Sequence, residues 1–350
     1  MPESIGKAYR RFAEVEATGT LYERVAVALS ESEEALRAIE SAPARKRQPA
    51  VILAALHDLA LAGQAPALAA AYADDDGETA ARAAIDTLVR DTGTVMARAV
   101  HRPLRADEAG RGTGLYPAIA EAAHRAGADA IGLIDVGRSA ALNLTVDRAG
   151  IFYDNGQTLG DASSSLRLSA SVVGDRHLPA RSIPEVTTRV CVDADPVDVS
   201  DVDEARWLRA CVRPDRRERL ATLDAELALA VAAPPVLVRG EPAGVLPHAF
   251  ALVPAPALPV VITTWALSRL PLESRLRFLQ RLHEAATHRP VAWVSVEGVG
   301  VAPAVPTMGD RRASGHSIIG VALFEHAALR AEAVGRCWSR GRMLSWLADS

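Results

Sequence analysis

Hydrophobic positions along this chain follow two regimes. Up to about residue 127 they recur mostly at helical spacing: Tyr9, Phe12 and Val15; Leu21, Val25, Val27 and Leu29; Val51, Leu53, Leu56 and Leu59. Steps of three and four put such side chains on one face of a helix. Breaks at Gly19, Ala42-Pro43, Gly63 and Gly77 suit turns or caps. Residues 1–127 are therefore expected to form an all-helical domain. From Ala128 short apolar runs alternate with helical stretches. Ala130–Ile134, Arg189–Val192, Val236–Val238, Val260–Thr263 and Val291–Val296 read as strands, with helices at about 201–212, 215–231 and 272–288. Runs without polar alternation suit strands covered on both faces, as in a parallel sheet flanked by helices. Gly150–Asp154 and Leu166–Val173 read as a hairpin or edge pair inserted at about 150–188, and Ser317–Phe324 with Ala331–Trp338 as a last antiparallel pair. The expected fold class is α/β: a Rossmann-like, doubly wound sheet over 128–350 behind the helical domain.

Candidate chemistry gathers where those strands end. IGLIDVGRSAALNLTVD (131–147) reads as a buried strand, an acid at its end (Asp135), a glycine turn (Gly137) and a helix opening at Ser139. Open α/β sheets bind ligands at the carboxyl ends of their strands, where helix N–H groups also point. Arg138 and Ser139 are the candidates there for holding an anion. The same rim collects Asp193, a candidate acceptor for a ribose diol with Asp195 as a rival for that role, together with Glu241, Thr263, Thr264, Trp265 and Glu297. Trp265 offers a stacking surface, Thr264 a hydroxyl to orient a polar group, and Glu297 an acceptor for a nucleophile's proton. His316 closes the Pro- and Gly-rich loop Val301–Gly315, which is expected to be mobile and to carry it to the rim. Each acid would serve equally as a helix cap or in a solvated turn.

The 131–147 segment is similar to the Asp/Glu-x-Gly turn of class I S-adenosylmethionine-dependent methyltransferases. It resembles more closely domain-of-unknown-function family 2332, whose usual signature is a SAGLNL string, here Ser139-Ala140-Ala141-Leu142-Asn143-Leu144. YRRFAEVEATGTLYERVA (9–26), RQPAVILAALHDLAL (47–61), VDADPVDVSDVDEARWLRACVRPD (192–215) and GRMLSWL (341–347) fit the same family. Two positions depart: Arg138 stands in place of a small residue and Ala141 in place of glycine. The resemblance implies a class I methyltransferase-type sheet with S-adenosylmethionine as cofactor. Asp135, Gly137, Asp193 and Glu241 would hold it, and Glu297, His316 and Thr264 would serve methyl transfer to a small molecule by in-line displacement. Arg138 keeps a second reading open. This is a cofactor-free internal displacement that expels sulfate or phosphate and closes a strained nitrogen ring, such as an aziridine in natural-product biosynthesis. A third reading is a non-catalytic binding protein with a small partner subunit.

Composition narrows the partners. Among 350 residues, 49% are hydrophobic and 23% charged, and the net charge is -4. No long basic run suggests nucleic acid, and no window nears the ~20 apolar residues that span a bilayer. The charged start lacks a signal-peptide core, so the expected location is cytoplasmic. Cys191, Cys211 and Cys337 are too widely spaced for a zinc site or a disulfide framework and read as free thiols. No metal is expected: His283 and His288 have the wrong helical spacing, and Asp74-Asp75-Asp76 reads as a solvated helix end.

Overall fold

The computed structural model describes residues 3–105, 110–137, 140–326 and 328–348. The chain begins with α1 (Ile5–Val15), α2 (Leu21–Glu31), α3 (Glu33–Glu40), α4 (Pro49–Leu61), α5 (Pro66–Ala73), α6 (Gly77–Arg90) and α7 (Thr92–His101). Next come α8 (Arg111–Arg125), β1 (Ala130–Val136), β2 (Gly150–Tyr153), β3 (Thr158–Gly160), β4 (Arg167–Val172) and β5 (Glu185–Asp193). After α9 (Val202–Ala210) and α10 (Arg217–Ala232) come β6 (Val236–Arg239), α11 (Pro242–Ala251), β7 (Leu258–Thr264) and α12 (Leu272–Ala286). The chain ends with β8 (Val291–Gly298), β9 (Ser317–Glu325), β10 (Ala328–Trp338) and β11 (Met343–Trp346).

Two compact units result: Met1–Asp107 with Asp201–Leu223, and Glu108–Ser200 with Asp224–Ser350. Thus α8, which precedes residue 127, belongs with the sheet, while residues 201–223 belong with the first helices. In the first unit, helix starts follow local chemistry. Ser4 and Ser32 accept backbone N–H groups of their own helices, and Pro49 and Pro66 occupy first-turn positions. Asp76 Oδ1 accepts from Glu78 N and Thr79 N, so the acidic triplet is a helix start. Tyr9, Phe12, Val25, Leu29, Leu53 and Leu56 share one core, but Val15, at the end of α1, is 73% exposed.

In the second unit one mixed sheet has the order β3-β2-β4-β11-β10-β9-β8-β7-β1-β5-β6. The run β6-β5-β1-β7-β8 is parallel throughout, and β8 to β11 continue as an antiparallel meander. Alternate strand residues face opposite layers, as the pleat requires. Leu133, Ile262 and Val294 pack with Leu115 and Ile119 of α8, while Ile134, Val261 and Trp293 pack with Leu246 of α11 and Phe278 of α12. The protein is a mixed α/β structure with a large, mostly parallel sheet.

Two sequence expectations change. Of the two readings for 150–154 and 166–173, the edge pair holds and the hairpin does not: β2 and β4 run parallel near one edge of the sheet, and the antiparallel partner of β2 is β3. A tight turn reverses the chain directly after β2, where Asn155 Oδ1 accepts from Gln157 N and Gly156 takes φ 84°. These strands extend the main sheet through the pairing of β4 with β11. Finally, among the described residues no α-helix opens directly after β1. Ala140 and Ala141 take left-handed φ values of 54° and 62°, and the chain enters a 3-10 helix, Leu142–Arg148. Arg138 and Ser139 lie outside the described residues.

Candidate functional site

Within the parallel run, β1 is followed by β5 and β6 on one side of it, whereas its neighbour on the other side, β7, comes only after them in the chain. This reversal of strand order is the switch point at which open sheets leave a crevice. A cavity of about 350 Å³ lies there, with Gly137, Asp193, Thr264, Trp265, Leu267 and Arg111 among its walls. The volume suits a small molecule. Gly137 takes φ 125°, and a Cβ added there would stand 2.6 Å from the Cβ of Ala266. Glycine is therefore needed for both reasons, conformation and space.

Asp193, only 5% exposed, ends β5. Its Oδ1 accepts from Asp195 N at 2.9 Å, and its carbonyl accepts from Gly240 N at 2.9 Å. Trp265 follows β7 in a left-handed conformation, φ 49°, which is strained for a bulky residue. Its N–H donates to Val296 O at 3.0 Å and its indole Nε1 to Ser317 Oγ at 2.8 Å. The Arg111 guanidinium carbon lies 5.7 Å from the indole centroid.

A buried polar relay ties β1 to β7 beneath this cavity. Asn143 Nδ2 donates to Asp135 Oδ1 at 3.0 Å and to Thr264 Oγ1 at 3.1 Å. Arg111 Nη1 donates to the same Thr264 oxygen at 3.0 Å. Asp135 is fully buried and acts through this relay rather than as a wall residue. Glu297 also stands behind the wall. Its Oε1 accepts from Ala266 N and Leu267 N, both at 3.0 Å, and so holds the turn that carries Trp265. Its Oε2 is buried without a hydrogen-bond partner, and burial pushes the carboxyl up to about 7.

Four of the residues expected at the site therefore line one cavity: Gly137, Asp193, Thr264 and Trp265. Glu241 does not line it, because its exposed carboxylate caps α11 through Gly244 N at 3.0 Å. His316 lies elsewhere as well. Its Nε2 faces Asp310 Oδ2 at 2.9 Å, and Arg336 grips the same carboxylate at 2.7 and 3.1 Å. That pairing anchors the 301–315 loop to β10, so His316 is not a wall residue. Arg138 and Ser139, the anion candidates, lie outside the described residues.

The two polar partners of Thr264 were not singled out from the sequence. Asn143 carried a signal, its place in the signature string. Arg111 carried none, since 153 positions separate it from Thr264. Among the described residues no group of His, Cys, Asp and Glu is placed to hold a metal. None of the three cysteines is in a disulfide, and burial pushes the Cys211 thiol up to about 11 and the Cys337 thiol up to about 12. No single helix among the described residues is long and apolar enough to cross a membrane.

Fold and cavity together define an α/β protein with a small-molecule-sized crevice at the carboxyl ends of its parallel strands. Over residues 6–346 the chain matches the family described as "Uncharacterized protein conserved in bacteria (DUF2332)", and it belongs to that family. No match is found among curated proteins or among solved structures.

Proposed function

We propose that this cavity takes the adenosyl cofactor S-adenosylmethionine and that the protein transfers a methyl group to a small molecule. The observation that carries the reading is the meeting of Gly137 and Asp193 in one cavity at the switch point. The residues present fit the cofactor in part. Asp193 is an acceptor at the end of the strand next to β1, suited to ribose hydroxyls, and Gly137 leaves room for backbone to approach a ligand. Glu241 is not among the walls of the cavity and caps α11 through Gly244 N, so the reading does not draw on it. S-adenosylmethionine, when bound, supplies an electrophilic methyl group. The chain supplies orientation and exclusion of water: Trp265 and Leu267 form apolar walls, and Glu297 keeps their turn in place.

Arg111 and Arg269 on the same lining favour one other reading, a cofactor-free displacement that expels an anion. Isothermal calorimetry separates the two. S-adenosylhomocysteine should bind the wild type and raise its melting temperature through linkage. Asp193→Asn should weaken binding about tenfold or more, the size of a lost hydrogen bond to a charged acceptor. No heat at millimolar S-adenosylhomocysteine, with clear binding of sulfate or phosphate, sinks methyl transfer and leaves the displacement reading.

A further inference from the structure

The hydrogen bonds around Thr264 determine what its hydroxyl can still do. A hydroxyl has two lone pairs and one proton. Arg111 Nη1 occupies one lone pair at 3.0 Å, and a guanidinium carries only donors. Asn143 Nδ2 occupies the other at 3.1 Å. The amide cannot be turned round without cost, because the same Nδ2 faces Asp135 Oδ1 at 3.0 Å. A turned amide would set its oxygen against the acidic oxygen and withdraw a bond from each neighbour. Both lone pairs are thus filled by N–H groups, and the proton is all that remains. Thr264 is 6% exposed and lines the cavity, and its hydroxyl donates to no group among the described residues. The Trp265 indole N–H adds no competing donor, being committed to Ser317.

We propose that Thr264 is a ligand-binding residue that donates its hydroxyl proton to a carboxylate or carbonyl oxygen of a small molecule. This rests on the cavity being the ligand site, as proposed above, and adds the kind of group recognised in it. Arg111 puts a positive charge beside the same corner, which selects a carboxylate over a neutral carbonyl. Asp193, across the cavity, is an acidic acceptor and suits hydroxyl or amine donors. The ligand is therefore polarised, with an oxygen acceptor at Thr264 and donors near Asp193. Beside the acceptor it carries an apolar portion against Trp265 and Leu267. An amine pointed at Thr264 would meet an O–H and a guanidinium and find no acceptor.

Benzoate, benzamide and benzylamine are the probes, measured by calorimetry on the full chain. They share a ring sized for the apolar walls and differ only at the polar end. On the wild type, benzoate should bind most tightly, benzamide more weakly, and benzylamine not at all. Thr264→Ser, which keeps the hydroxyl, should bind benzoate like the wild type. Thr264→Val, which keeps the shape and loses the proton, should lose about tenfold in affinity, one hydrogen bond's worth. The wild-type series stands even if Thr264→Val does not fold. Benzylamine binding as tightly as benzoate, no benzoate binding to the wild type, or undiminished binding to folded Thr264→Val would each overturn the proposal. A parallel S-adenosylhomocysteine titration keeps the two readings apart. Cofactor binding without benzoate binding rejects the donor corner alone, and the reverse rejects the cofactor alone.

Discussion

Glu297 links the residue scale to solution behaviour. Its carboxyl is pushed from an ordinary 4.5 up to about 7, chiefly by burial, against the opposing pull of the Ala266, Leu267 and Ser268 N–H groups and of Arg275. The native state therefore holds this proton more tightly than the unfolded chain does. The stabilisation from this group is complete below pH 4.5 and is lost as the pH rises through about 7, by roughly 3 kcal/mol in all. Glu297→Gln keeps a carbonyl for the two N–H groups and has nothing to ionise. Urea unfolding at successive pH values should show the Gln variant gaining on the wild type between pH 4.5 and 7.5, and parallel curves would mean that Glu297 titrates normally. Gly137 gives a second test. Gly137→Ala should cost about 1–3 kcal/mol, from its left-handed φ and from the contact with Ala266. Adding Ala266→Gly should return only the steric part of that loss, as read from denaturation midpoints.

At the scale of elements, a single buried carboxylate ties three helices of the first unit. Asp58 of α4 is fully buried, accepts from Arg206 Nε of α9 at 2.9 Å and pairs with Arg98 of α7 at 3.0 Å. Removing it takes the buried carboxylate away from two part-buried guanidinium groups and leaves Arg206 with the exposed Asp203 and Arg98 with the neutral Gln64. Asp58→Ala should therefore cost about 3–5 kcal/mol, visible as a large fall in melting temperature by circular dichroism. Helix and strand positions were legible because local pattern sets them: α12 and β8 start where the apolar spacing places them, at Leu272 and Val291. Strands β3 and β11 escaped that reading. Both are very short, three and four residues, and owe their conformation to pairing with β2 and with β10 and β4. The glycine turn after β1 was read, but the left-handed Ala140-Ala141 pair and the 3-10 helix beyond it escaped, because alanine in a left-handed conformation has no sequence signal.

For the molecule as a whole, the chain returns to its first unit. Segment 201–223 supplies Trp207, 1% exposed, which packs with Ala54 and donates from Nε1 to Pro103 O at 2.9 Å. A fragment covering residues 1–107 should keep helical circular dichroism and yet melt broadly, since Ala54 loses the cover of Trp207 and Asp58 loses one of its two arginines, Arg206. Joining residues 201–223 to it through a flexible linker should restore a sharp transition. Equal cooperativity without that segment would show that the first helices are self-sufficient.

What the sequence determined by itself was local and periodic. Spacing of apolar residues distinguishes helix from strand, and proline and acidic residues mark where helices begin. Strand-end acids and glycines mark the rim on which Gly137, Asp193, Thr264 and Trp265 meet. Membership of the family was also legible in continuous strings along the chain. Only the tertiary structure decided which of these groups share a cavity and which are spent elsewhere. Glu241 caps a helix, His316 pairs with Asp310, and Arg111 arrives from 153 residues away to complete Thr264. The reason is physical. Hydrophobic pattern records which face of an element is buried, whereas the role of a polar side chain depends on how many of its donors and acceptors are already satisfied. That count exists only once register and packing have brought the partners together.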